Sequence, residues 1–220
     1  MKDFGHEEQT PQSTFNGTVG GCFAVKLAIF LLVVLTLGLA TPWAICIWHK
    51  WRMENLVIDG ERLVFDGKGR RLFWRYVGWF FLTIITIGNY AWTVRIKIHD
   101  WLTEHTHFEG NQYRKYYEIH NNGSAFGGDQ MEHIRLFVKQ LLLVIFTLGF
   151  GLPWAVCMQQ KWRLENTVID GKQVAFSGTG KKLFGLYFGT FWLAVLTLGI
   201  AGSWRKVKLL RWEAEHTYFE

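Results

Sequence analysis

Charged side chains are scarce in this sequence. They make up 19% of its 220 residues, against 50% hydrophobic residues, whereas a typical soluble domain carries about 25% charged residues. Four stretches lack charge altogether: Leu27–Ile47, Tyr76–Val94, Gln140–Met158 and Leu183–Trp204. Because a helix needs about 20 apolar residues to cross a bilayer, we predict an integral membrane protein.

The sequence also lacks the features of two common alternatives. Its three cysteines, Cys22, Cys46 and Cys157, form no C-x-x-C pair, which argues against a disulfide framework or a zinc site. We expect them to be small buried apolar side chains. The first apolar stretch follows a polar leader containing Asp3 and Glu7, so we expect it to be retained rather than cleaved as a signal peptide.

A long repeat organises the chain. The segment WRMENLVIDG at Trp51–Gly60 returns as WRLENTVIDG at Trp162–Gly171, 111 positions later (162 − 51 = 111). A weaker echo lies 50 positions after each copy, at WLTEHTHFEG and WEAEHTYFE. We therefore predict a tandem duplication of two units each. The predicted parts are a polar tail (1–14), a first half (15–110, units 15–60 and 65–110), a polar linker (111–125) and a second half (126–220, units 126–171 and 176–220).

Each unit reads as F-x-G, an apolar helix, T-[LI]-G, a Trp-rich stretch, W-x-x-E and a short β-like end. We interpret the last motif as structural, with an interfacial Trp, a basic residue anchored at the membrane surface and a Glu that closes the unit. Asp59-Gly60 and Asp170-Gly171 are predicted hairpin turns between units. The repeated structural residues are Gly38, Gly88, Gly149, Gly199, Trp51, Trp101, Trp162, Trp212, Glu54, Glu104, Glu165 and Glu215.

The segments around these glycines resemble a known family. They read TLGLATPW at Thr36–Trp43, TIGNYAW at Thr86–Trp92, TLGFGLPW at Thr147–Trp154 and TLGIAGSW at Thr197–Trp204. The pattern is similar to that of the YjgN-like family of bacterial inner-membrane proteins, whose function is unknown. The resemblance implies a location in the inner membrane and supplies no catalytic or binding residues.

The predicted fold class is an all-α helical membrane protein with short β-hairpin joins and four quasi-repeated units in tandem. Two topologies remain open. Each unit either turns at T-[LI]-G as a helical hairpin or re-entrant segment, because glycine disfavours a continuous helix, or crosses the membrane once. We expect the basic stretches RIKIHDW and RKVKLLRW to form amphipathic helices in the headgroup region.

Two groups of residues suggest chemistry only weakly. FDGKGRRLF and FSGTGKKLF resemble a phosphate-binding loop. They match neither of the nucleotide-binding motifs G-x-x-x-x-G-K-[ST] and G-x-G-x-x-G. We expect hairpin ends there, with candidate contacts to lipid headgroups or anions from Lys68, Arg70, Arg71, Lys181 and Lys182.

The segments EHTHFE and EHTYFE bring His105, His107 and His216 close to Glu104 and Glu215. Such residues can bind a metal, but Asn55 and Asn166 replace the histidine in the other two units. We assign no metal, cofactor or catalytic residue, and we expect no enzyme.

The predicted function is a channel or small-solute permease, because duplicated halves are common in transporters. No charged residue lies in the middle of an apolar stretch, however, which argues against an ion-coupled pump. The alternative is a non-transporting membrane scaffold that acts through lipid or protein-partner contacts. Expected partners are the bilayer and its anionic lipids and not nucleic acid, with a protein partner or homo-oligomer left open. We expect any function to lie in what the four units enclose.

Overall fold

The computed structural model describes residues 13–86, 90–109, 123–185, 187 and 201–220. Its helices are α1 (Val19–Leu35), α2 (Thr41–Glu54), α3 (Gly69–Ile85), α4 (Ala91–Glu104), α5 (Gln130–Phe146), α6 (Leu152–Glu165) and α7 (Ala201–Glu215), and residues 180–185 are also helical. Its strands are β1 (Thr14–Phe15), β2 (Leu56–Ile58), β3 (Glu61–Phe65), β4 (Thr106–Phe108), β5 (Ala125–Phe126), β6 (Thr167–Ile169), β7 (Lys172–Phe176) and β8 (Thr217–Phe219).

The T-L-G segments reverse the chain. Leu37 and Gly38 adopt left-handed φ values of 49° and 89°, and Leu148 and Gly149 adopt 50° and 91°. The Gly38 N–H donates to the Val33 carbonyl at 2.8 Å and the Gly149 N–H to the Val144 carbonyl at 2.8 Å, the bonding of a left-handed helix C-cap. Thr36 and Thr147, which precede the turns, also accept hydrogen bonds from the backbone N–H groups of Ala40 and Gly151, the residues just before the next helices. We call residues 36–40 and 147–151 the apices of helical hairpins α1–α2 and α5–α6.

The predicted all-α helical membrane protein is wrong. No helix in the described part of the chain is both long and apolar enough to cross a membrane. The apices divide two of the apolar stretches: Leu27–Ile47 forms the end of α1 and the start of α2, and Gln140–Met158 forms the end of α5 and the start of α6. The described residues also form two four-stranded antiparallel sheets, so the fold is mixed.

Both sheets arise because each helical hairpin returns the chain to its starting point. β1 pairs with β2 at the two ends of the first unit, and β3 pairs with β4 at the two ends of the second. The predicted turns between units are confirmed: φ is 48° and 81° at Asp59-Gly60 and 46° and 80° at Asp170-Gly171. The sequence indicated these central hairpins and the short strands β4 and β8 that follow W-x-x-E, but it missed β1 and β5, which are only two residues long.

The second sheet repeats the first in strand order. Its elements also keep the spacing seen in the sequence, as between the starts of β2 and β6 (167 − 56 = 111). Residues 1–12 of the predicted tail, most of the linker 111–125, and the motif glycines Gly88 and Gly199 lie outside the described residues, and Thr14 at the end of the predicted tail belongs to β1. The division into halves and units stays a prediction.

The aromatic and glycine motif residues close each unit. The phenylalanine of F-x-G meets the tryptophan of W-x-x-E edge to face, with ring centroids 5.5–6.1 Å apart, in all four units. The glycine of F-x-G lies beneath both rings. A Cβ atom on Gly67 would lie 2.2 Å from the Phe65 ring and 2.8 Å from the Trp101 ring, which is closer than real contacts allow. The motif is therefore a packing device.

The turn aspartates join the two sheets reciprocally. Asp59 in the first sheet accepts a hydrogen bond from the Phe219 N–H of β8 at 2.7 Å. Asp170 in the second sheet accepts one from the Phe108 N–H of β4 at 2.6 Å. Ser124 also donates to the carbonyl of Thr106 across the sheets. Each sheet therefore depends on the turn of the other.

The Asp170→Asn substitution should lower the free energy of unfolding by about 1.5–3 kcal/mol, the usual contribution of a hydrogen bond to a charged group. Asp170 is only 2% exposed, so water cannot replace the lost bond. Asparagine tolerates the left-handed backbone conformation of this turn. The substitution therefore removes the charge without straining the backbone. The matched Asp59→Asn variant at the exposed turn should cost less in the same thermal or denaturant unfolding. Equal stability of both variants and the wild type would show that the aspartates do not couple the sheets.

The Gly67→Ala substitution should destabilise the protein by about 1–3 kcal/mol, the cost of overpacking. Gly78→Ala is the matched control, because it lies in α3 with nothing within 4 Å of the added Cβ. That variant should be neutral or more stable by up to about 1 kcal/mol. Unfolding midpoints in one neutral detergent compare them, and a Gly67→Ala midpoint at the wild-type value would contradict the packing role.

Candidate functional site

A cavity of about 730 Å³ lies between the helices and the two sheets. All four predicted units contribute to its wall, through Trp48, Leu102, Arg163 and Leu210 among others. It extends from Thr41 at the start of α2 to side chains of both sheets, such as Ile58 and Ile169. This volume lies within the range of about 300–1,000 Å³ that is typical of small-molecule sites.

Most of the wall is apolar, but one end carries a buried ion cluster. Arg52 on α2 and Arg163 on α6 both donate to the Oε1 atom of Glu213 on α7, Arg163 from 2.5 Å. Gln160 donates to the other carboxylate oxygen at 3.0 Å. The Glu213 side chain is 7% exposed and those of the two arginines are 14% and 19% exposed. We call Arg52, Arg163 and Glu213 the charged triad.

Burial and neighbouring charges determine the ionisation of the triad. Burial raises the pKa of the Glu213 carboxyl, but Arg52, Arg163 and Lys206 outweigh burial and hold this pKa below its ordinary value. Burial, followed by repulsion from Arg52, lowers the pKa of Arg163 to about 10 and that of Lys206 to about 8. The carboxylate is therefore ionised at neutral pH, and positive charge exceeds negative charge around it.

The triad corrects one prediction from the sequence. Arg52 and Arg163, each directly after the Trp of W-x-x-E, were expected to be anchors at the membrane surface. They instead face the interior, and Glu213 is the same position in the fourth unit (213 − 52 = 161, which equals 111 + 50). One feature of the sequence could have predicted this contact. The position after the motif Trp is Arg in two units and Glu in the fourth, and such opposite charges can pair.

The two basic stretches that were expected to form amphipathic helices are helical as predicted, but each helix also buries side chains in the core. The basic stretch RIKIHDW lies in α4 and RKVKLLRW lies in α7. Trp101 in the first is 1% exposed, and Val207 and Leu210 in the second are 1% and 3% exposed. Both helices contribute to the core and to the cavity wall, through His99 and Leu210.

Two histidines line the cavity beside the triad. Burial, followed by the positive charges of nearby arginines, lowers the pKa of His49 and that of His99 to about 3 each. The His49 Nε2 atom lies 3.2 Å from the Thr106 hydroxyl, and its ring meets the Phe65 ring edge to face. Both imidazoles are neutral at physiological pH.

The predicted lipid or anion contacts lie elsewhere. Lys68, Arg70 and Arg71 are exposed at the start of α3, where they surround a shallow depression beside Trp74. Lys181 and Lys182 are exposed in the helical stretch 180–185. None of the five lines the cavity.

Their glycines are required by aromatic packing. A Cβ atom on Gly69 would lie 2.6 Å from the Trp43 ring, and one on Gly180 would lie 2.5 Å from the Trp154 ring. These close approaches explain the Gly-x-Gly spacing without a bound phosphate.

The motif histidines end helices. His105 and His216 each place Nδ1 2.8 Å from the carbonyl of the preceding motif Trp, and Asn55 and Asn166 donate to the same carbonyl at 2.7 Å. Histidine and asparagine are thus interchangeable C-caps. His107 instead lies 3.1 Å from Asp170. Within the described ranges, no three His, Cys, Asp or Glu side chains come together as a metal site.

The motif glutamates and the cysteines have structural positions. Glu54 pairs with Lys50 at 3.7 Å, Glu165 with Lys161 at 3.6 Å and Glu104 with Arg75 at 3.9 Å, and Glu215 is exposed at the end of α7. The prediction that the cysteines are buried is confirmed for Cys22, Cys46 and Cys157.

Comparison with known proteins identifies the relatives. The family described as "Bacterial protein of unknown function (DUF898)" matches residues 121–185. The chain is 28% identical over 81 residues to "Inner membrane protein YjgN" of Escherichia coli K12, a match that covers 36% of this chain and 20% of that protein. The YjgN protein of Escherichia coli O157:H7 gives the same identity and coverage. The match therefore spans about a fifth of the length of these relatives.

These matches confirm the predicted resemblance to the YjgN-like family. The multi-pass arrangement expected from the sequence receives no support from the described helices. No solved structure matches the chain.

Acid should weaken the fold through His49 and His99. Their pKa is about 3 when folded and about 6.5 when unfolded, so the unfolded chain binds more protons between these values. The stability contributed by the neutral imidazoles is complete above pH 6.5 and is lost as the pH falls toward 3. At pH 5 we expect a loss of about 1–2 kcal/mol per histidine, relative to pH 7.5.

The measurement is denaturant unfolding at pH 7.5 and pH 5 for the wild type and a His49→Gln/His99→Gln double variant. The double variant should lose much less stability between the two pH values. His216→Asn is the control, because asparagine takes the same capping position in two other units. A double variant that loses as much stability as the wild type would contradict this assignment.

Proposed function

We propose, from the resemblance of this chain to the inner membrane protein YjgN and from its exposed apolar apices, that it is a non-transporting inner-membrane protein that acts through lipid contacts. In this proposal the apices of the helical hairpins enter the bilayer, while the sheets and charged triad stay outside its hydrocarbon core. The chain is not an enzyme and binds no nucleic acid. A protein partner is not required.

One observation carries the proposal, the leucine at each apex. Leu37 and Leu148 hold φ values of 49° and 50°, a conformation that costs an ordinary residue about 1–2 kcal/mol. Their side chains are 93% and 91% exposed. An apolar residue here is therefore unfavourable both to the backbone and to hydration. Burial of the leucines in lipid offsets both costs.

The surrounding surface supports the same contact. Large exposed apolar patches mark sites of membrane or protein interaction. Leu35, Leu39, Phe146 and Phe150, which flank the apices, are 62–82% exposed, and Ile85 at the end of α3 is 75% exposed.

The basic residues at the start of α3 complete this picture. Trp74 is 69% exposed beside the basic side chains of Lys68, Arg70 and Arg71. An exposed Trp among basic groups is typical of a membrane interface. We assign anionic headgroup contacts to these residues and to Lys181 and Lys182.

A Leu37→Asn/Leu148→Asn double variant should bind membranes less tightly without losing stability. Asparagine suits the left-handed conformation better than leucine, so the unfolding midpoint should stay level or rise. Removal of two leucines from lipid should lower partition by at least about tenfold. Flotation with vesicles of phosphatidylglycerol and phosphatidylethanolamine measures the bound fraction.

The controls are Val64→Asn and Tyr218→Asn, at partly exposed residues of β3 and β8. They should leave flotation unchanged, and equal flotation of the apex variant would contradict the proposal. Vesicles that carry the bound protein also test the alternative, the channel or permease expected from the sequence. They should retain ions and small solutes, and protein-dependent uptake under a gradient would favour the permease.

A further inference from the structure

We infer that the cavity binds a single-chain anionic amphiphile, with its carboxylate or phosphate head at Arg52 and Arg163 and its acyl chain against the apolar wall. The inference goes beyond the proposed function, because a ligand can occupy the cavity whether or not the apices enter a bilayer.

The charges at the triad favour an anion. Among the described residues that line the cavity, three carry positive charge, Lys26, Arg52 and Arg163, and one carries negative charge, Glu213. Lys206 adds a further positive charge close to the same group. Uncompensated charge in a desolvated site is costly, and a partner of opposite sign relieves that cost.

The geometry of the triad leaves its arginines suited to a second anion. Both guanidiniums donate to the same oxygen of Glu213. Each guanidinium carries five N–H donors, and carboxylates and phosphates match its forked geometry. A head group beside Glu213 would therefore meet two arginines that are already positioned.

The rest of the wall favours a hydrocarbon chain. Ile29, Val33 and Ile45 line the cavity between the start of α2 and the triad. Thr41 and Arg52 are 11 residues apart (52 − 41 = 11), about 16 Å along a helix at 1.5 Å per residue. A small anion would leave this apolar length unfilled, and a neutral amphiphile would leave the positive charge uncompensated.

The cavity reaches the surface on an apolar part of α1. Phe30 lines it and is also 62% exposed, beside Leu27 and Leu31, which are 46% and 48% exposed. An amphiphile can therefore enter with its chain in contact with apolar side chains. Only this route, and not the site itself, depends on the proposed membrane contact.

The test measures binding of radiolabelled palmitate to the full chain in neutral detergent. Saturable binding near one palmitate per chain is expected, together with competition by lysophosphatidic acid. Monopalmitoylglycerol, which has the same chain without charge, should compete poorly. Equal competition by monopalmitoylglycerol, or by inorganic phosphate alone, would overturn the inference in favour of a general apolar pocket or a small-anion site.

Two substitutions in the triad separate binding from folding. Arg163→Gln should weaken palmitate binding by about tenfold or more, as expected for loss of a charge-assisted hydrogen bond. Glu213→Gln should tighten it, because the competing carboxylate is neutralised. A purely structural triad would move both affinities in the same direction, which would count against the inference. Lys172→Gln is the control, since Lys172 pairs with Glu61 on the sheets and should leave binding unchanged.

The apolar end provides a test that leaves the charges intact. Val33→Trp should shorten the cavity and weaken palmitate binding while sparing octanoate. This variant decides the question if Arg163→Gln does not fold. Unchanged palmitate binding in Val33→Trp would contradict the placement of the acyl chain.

Discussion

The left-handed reversal at each apex determines the rest of the fold. Because Leu37-Gly38 and Leu148-Gly149 turn the chain back, each of the two apolar stretches that contain them becomes two helices rather than one. The return of the second helix brings the end of a unit beside its beginning, where two very short strands can pair. Strands of two or three residues are too short to be stable alone, and they exist here because the helical hairpin holds them together. The cavity is then the space that the returned helices and the sheets enclose.

The sequence predicted the parts that depend on local chemistry. The Asp-Gly turns, the buried cysteines and the importance of the F-x-G and W-x-x-E motifs all follow from residue type and spacing. The fold class failed because hydropathy measures the length of an apolar stretch and does not show whether the chain reverses within it. The glycine of T-[LI]-G gave the clue, and the hairpin topology that it suggested agrees with α1–α2 and α5–α6. The first strand of each sheet was not predicted, because β1 and β5 contain only two residues each.

The candidate site could not be predicted from the motifs, because it occupies a position where the repeated units differ. Motif residues such as Trp101 and Gly67 do the same structural work in every unit, and repetition makes them conspicuous. Arg52, Leu102, Arg163 and Glu213 share a place in the motif but carry different charges. Arg52, Arg163 and Glu213 meet in the charged triad, where three like charges would repel each other. The opposite charge of Glu213 therefore permits a stable buried polar cluster, which keeps an excess of positive charge.

The reciprocal bonds of Asp59 and Asp170 also affect the order of events during synthesis. Asp59 receives its bond from Phe219, 160 residues later in the chain. Contacts of such large sequence separation form slowly, because a long loop must close before they can contribute. The first sheet can pair its own strands as soon as β4 has been made, but its turn waits for β8. The first sheet therefore lacks the hydrogen bond to Asp59 until β8 has been made, and the bonds that join the two sheets form only after both are present.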